Sequence, residues 1–158
     1  MAELTPLRPG DLAAIGLVGL GAGWALAVSA YGSLPAIPVA AGAPILLLAL
    51  LEIGAGMLVR RRIAQGRIGV DGRGLHPLTV ARLLVLARAS SITGALLTGL
   101  WAGLLIELST AAGRVQAAAD DLPGTVGALL AALILIGAAV FLERGCWTPP
   151  QPPEAEPG

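Results

Sequence analysis

Four apolar runs of about twenty residues leave this chain few ways to fold, because that length matches a bilayer's hydrocarbon core. Leu12–Ser29, Ala89–Ile106 and Pro123–Leu142 carry no charged residue, and Pro38–Val59 carries a single one, Glu52. A soluble alternative fails on composition. The 158 residues are 56% hydrophobic and 13% charged, with a mean hydropathy of +0.82, too little polar material to cover a water-facing surface. The expected fold class is therefore all-α, a polytopic membrane protein with four transmembrane helices at about 11–31, 38–59, 77–108 and 123–143. These make one membrane domain over 1–147, followed by a disordered, Pro/Glu-rich tail over 148–158.

Charge placement orients the helices. All ten basic residues are arginine, and seven lie between Val59 and Ser91. Arg60, Arg61, Arg62, Arg67, Arg73 and Arg82 form a basic loop between the second and third apolar runs, and such a loop stays cytosolic. With both termini inside, Arg8 and Arg144 join that side, giving nine arginines against Arg114 alone on the other. The chain is thus expected to sit multi-pass in the plasma membrane with both termini cytosolic. A basic loop also attracts anionic headgroups, an effect secondary here to topology.

Local signals mark the helix ends. Asp11 suits a helix N-cap. Val28-Ser29-Ala30 would suit signal cleavage, but the lead holds Glu3 and Asp11 against one arginine. It lacks a positive n-region, so the first helix is expected to be retained. Tyr31–Pro38 reads as a tight outer turn, with Tyr31 at the membrane–water interface. Pro77 opens the third helix. Asp120 and Asp121 precede Pro123, which predicts acidic capping of a fourth helix with proline in its first turn. Gly145 suits its C-cap.

Few residues offer chemistry. Glu52 and Arg88 are ionisable groups inside apolar runs, where charge is costly and commonly paired. Glu52 lies eight residues before Arg60, and Arg88 six after Arg82. On antiparallel helices these offsets are about 12 and 9 Å, so the two are expected to pair, structurally or functionally. Ser91, Ala95, Gly99 and Gly103 form a stripe of small residues for helix packing, and Gly19 and Gly23 repeat the spacing in the first helix. Packing within the chain is the expected use, with a homodimer seam as the alternative. His76 is the single histidine and Cys146 the single cysteine. Neither has the companions a metal site needs. Asp120 and Asp121 would suit an outer cation, but capping accounts for them. Gly69–Gly74 lacks the spacing of a phosphate loop. No cofactor, metal or nucleic acid is expected, and no catalytic set is visible.

Tyr31–Pro35, the run Pro77–Ser90, Gly99–Gly103 and Ala119–Asp121 occur in this order along the chain. Together they resemble an actinobacterial family of small four-helix membrane proteins defined as a domain of unknown function. The resemblance implies a four-helix fold in the cell membrane and no established activity. The expected role is a non-catalytic scaffold or accessory subunit, in contact with the bilayer and with a membrane-protein partner or further copies of itself. The alternative is a small oligomeric transporter or channel using Arg88 and the neighbouring hydroxyls of Ser90, Ser91, Thr93 and Thr98. An enzyme ranks third.

Overall fold

A computed structural model describes residues 9–64 and 77–145. Four helices account for nearly all of them: α1 Pro9–Ala30, α2 Ala43–Ala64, α3 Pro77–Ala111 and α4 Gln116–Gly145. Two short 3-10 turns, Tyr31–Ser33 and Val39–Gly42, lead from α1 into α2. The described residues contain no strand. Each helix is long and apolar enough to cross a membrane. They are apolar on all sides rather than amphipathic, as expected of helices that meet protein on one face and lipid on the other.

The helices do not pack in chain order. α1 lies on α3, α3 on α4, and α4 on α2. The spatial order is therefore α1–α3–α4–α2, with the sequence neighbours α1 and α2 on opposite flanks. Burial follows this arrangement: 44% of the apolar window of α4 is buried, against 17% for α1. The buried face of α4 is largely alanine, including Ala128, Ala131, Ala132, Ala138 and Ala139, with Leu135 and Leu142 filling between them. Lipid tails are as apolar as leucine, so helices in a bilayer associate through close packing of small side chains. On α2 the buried stripe is Ala49, Glu52, Gly56 and Val59, with Ala49 against Leu135 and Ala138.

Two expectations about helix starts need correction. α4 begins at Gln116 rather than Pro123, so Pro123 is its eighth residue and the outer loop shrinks to 112–115. Gln116-Ala117-Ala118-Ala119 are strong helix formers, and a proline inside a membrane helix is tolerated where neighbouring elements support the backbone. The turn before α2 packs against this stretch: Gly124 lies so close that an added Cβ would be 2.7 Å from the carbonyl oxygens of Ile37 and Pro38. Asp120 and Asp121 are consequently not caps. Asp11 likewise is the third residue of α1, inside its first turn, where its charge complements the helix dipole.

Candidate functional site

Most of the polar groups fall into two sets, one toward each end of the bundle. At the end carrying Arg60, Arg61, Arg82 and Arg144, α3 and α4 are tied by an ion pair: Arg88 Nε lies 3.7 Å from Glu143 Oε1. This differs from the expected partner. Glu143 comes from the last turn of α4, which packs directly on α3 and brings it to Arg88, whereas Glu52 of α2 reaches α3 at Ser90, two residues on from Arg88. Glu52 is 1% exposed, and neither carboxylate oxygen closes a hydrogen bond of good geometry. The Ser90 hydroxyl is the side-chain donor that faces it. Ser91, also buried, donates to the Ala87 carbonyl at 3.0 Å, which satisfies its hydroxyl within α3. Further along α3, Thr98 Oγ1 and Trp101 Nε1 are buried without a hydrogen-bond partner.

At the opposite end Asp121 is a clamp. Its Oδ2 accepts the Tyr31 hydroxyl at 2.7 Å and its Oδ1 accepts the backbone N–H of Ile37 at 2.8 Å. One carboxylate thereby fixes both ends of the turn linking α1 to α2. Thr125 donates to the Asp121 carbonyl at 2.9 Å, and Gln116 donates to Asp120 at 3.1 Å. A concavity of about 340 Å³ opens beside the clamp, lined by Tyr31, Leu34, Asp120 and Asp121 among others. The described residues hold no cluster of three or more potential metal ligands.

The small-residue stripe faces α1. A Cβ added to Gly99 would run into the carbonyl oxygen of Gly16, and one on Gly103 into that of Leu20. From the other side, Gly19 and Gly23 meet the carbonyl oxygens of Leu96 and Leu100. Ala95 and Ser91 are buried on the same helix. Of the basic loop, Arg60, Arg61 and Arg82 are exposed, and Arg62 lies in the last turn of α2. Arg67, Arg73, His76, Cys146, Gly69–Gly74 and the tail 148–158 lie outside the described residues.

Sequence reasoning missed three residues. Glu143 directly follows the fourth apolar run, and a carboxylate next to Arg144 lies at the depth where Arg88 needs a partner. Phe141, the single phenylalanine, carries the Arg60 guanidinium 4.2 Å above its ring centroid. Asp121 as a clamp had no local signal, because its partners are 84 and 90 residues away.

Four apolar spans joined by small-residue seams, with most charged groups near the two ends and Glu52 buried within α2, define a multi-pass membrane protein in contact with the lipid bilayer. Within that class, the chain belongs to the family described as protein of unknown function (DUF3180), whose pattern matches residues 12–150. No curated protein and no solved structure matches it.

Proposed function

We propose that the chain is a non-catalytic component of a plasma-membrane complex, a scaffold or accessory subunit, with both termini cytosolic. The observation that supports this most is how its charged side chains are used. Asp121 binds the turn before α2, Arg88 meets Glu143 across α3 and α4, and Arg60 lies over Phe141. Groups engaged in ties between elements hold a shape, and this use of charge supports a structural role. The orientation rests on the nine-to-one arginine partition. Affinity purification of the full chain from native membranes in mild detergent tests the proposal. A membrane protein recovered in fixed stoichiometry is the expected result, and recovery of the chain alone from membranes that express it normally would overturn it.

One observation favours a second reading, a small oligomeric transporter. Glu52 is buried in an apolar span without a closed hydrogen bond, and an ionisable group so placed is a common element of ion or proton paths. Ion or proton flux in liposomes that is lost in both Glu52→Gln and Arg88→Gln would establish this reading in place of the first.

A further inference from the structure

We propose that the groove between α2 and α4 binds one anionic phospholipid, with an acyl chain along the groove and the phosphate held by Arg60, flanked by Arg61 and Arg144. The groove has a volume of about 410 Å³ and is lined by Ile53, Met57, Ile134, Gly137, Ala138 and Phe141. On α4 its lining runs from Ile134 to Phe141, two helical turns, or about 10 Å along the axis. Gly137 forms its floor: an added Cβ there would meet nothing within 4 Å.

The mouth of this apolar groove is cationic. Arg60 follows Met57 by three residues, and its guanidinium lies 4.2 Å over the ring of Phe141, itself a lining residue. Stacking uses the face of the guanidinium and leaves its in-plane N–H groups for a planar or tetrahedral oxyanion. Gly145 gives Arg60 room to cross the end of α4, its Cβ position lying 3.5 Å from Arg60 Cγ and 3.6 Å from Nε. Arg61, next to it in sequence, and Arg144, in the last turn of α4, are exposed at the same end of the bundle. The nearby carboxylate, Glu143, is engaged by Arg88 on α3, so it does not neutralise the mouth.

An apolar channel ending in guanidinium groups is complementary to an amphiphile with a negative head. The acyl chain gains little from the groove over bulk lipid, since both are apolar; the groove sets register and the arginines set selectivity. A phosphatidylcholine headgroup brings its own cation to the mouth, whereas phosphatidylglycerol carries net negative charge. Juxtamembrane arginines attract such lipids.

Native mass spectrometry of the full chain in mild non-ionic detergent tests the site, using dioleoyl-phosphatidylglycerol and dioleoyl-phosphatidylcholine as probes. One phosphatidylglycerol should be retained in clear preference. Arg60→Gln should reduce that preference by about five-fold, the effect of one basic side chain near the surface. Gly137→Phe should fill the groove and remove the bound lipid, with the melting temperature in lipid-free detergent unchanged. Arg82→Gln, at the same end but on α3, should leave retention unaltered. Equal retention of the two lipids would overturn the proposal. So would equal losses in Arg60→Gln and Arg82→Gln, which indicate diffuse surface charge. Undiminished binding in Gly137→Phe, or a dimer that this variant dissociates, would also refute it.

Discussion

Gly99→Ala tests the seam between α1 and α3 with a single methyl group. The Cβ of the new alanine would collide with the Gly16 carbonyl and sit 2.7 Å from the Leu20 nitrogen, both backbone atoms that no rotamer change can move. Ordinary contact begins near 3.4 Å, and the Gly16 oxygen is the nearer of the two atoms, so α1 has to withdraw by about 1.5 Å at this level. A gap of that size forfeits about half or more of the dispersion energy of every atom pair it separates. Overpacking of this kind commonly costs about 1–3 kcal/mol. Alanine's better helix propensity returns about 0.5–1 kcal/mol. The net expectation is a loss of up to about 2.5 kcal/mol. Gly21→Ala is the internal control, because a Cβ on Gly21 meets nothing within 4 Å; it should gain about 0.5–1 kcal/mol from propensity alone. Unfolding of each variant in mixed micelles can be followed by tryptophan fluorescence, since Trp101 packs against the core cluster that contains Ala27 of α1 and Leu104 of α3. The reasoning fails if Gly99→Ala is as stable as Gly21→Ala.

Tyr31→Phe should cost about 1 kcal/mol and Asp121→Ala about 1–3, because the second leaves both the Tyr31 hydroxyl and the Ile37 N–H without their acceptor; thermal unfolding in detergent should rank them in that order. In a double-mutant cycle, Arg88→Gln and Glu143→Gln should couple by about 0.5–1 kcal/mol at their partly exposed site, and strict additivity would mean the pair contributes nothing. Glu52→Met should be neutral or raise the melting temperature, since an apolar side chain of similar shape removes a carboxylate without closed hydrogen bonds; a large drop would point to a partner for that carboxylate. A reporter fused after Gly158 or inserted near Gly69 should be cytosolic and one at Gly113 external, and an external signal at Gly69 would refute the proposed orientation.

The number and class of the helices could be read from the chain because bilayer thickness imposes a length that apolar runs either meet or miss. Helix ends followed less closely. Asp120-Asp121 before Pro123 has the form of a helix start, yet the alanine-rich stretch before it propagates the helix through the proline and frees Asp121 to hold Tyr31 and Ile37. The glycine spacing pointed to close packing, but which helix would meet Gly99 depended on spatial order, which the pattern does not carry. The same gap explains Arg88. Depth along the membrane is legible from sequence, and it admits both Glu52 and Glu143 as partners. Only the placement of α4 between α3 and α2 brings Glu143 to it.

That spatial order also has a consequence in time. The ribosome delivers α1 and α2 first, and neither is the other's packing partner. The glycine face of α1 waits for α3, and the Ala49–Gly56 face of α2 waits for α4, whose last residue, Gly145, follows Ala64 by 81 positions. At ordinary elongation rates that interval is on the order of ten seconds. α1 meets its partner once α3 is made, whereas the inner face of α2, Glu52 included, lacks its α4 partner for the whole of it. Assembly is therefore a late lateral event, in which the two final helices enter between the two earlier ones and draw them together.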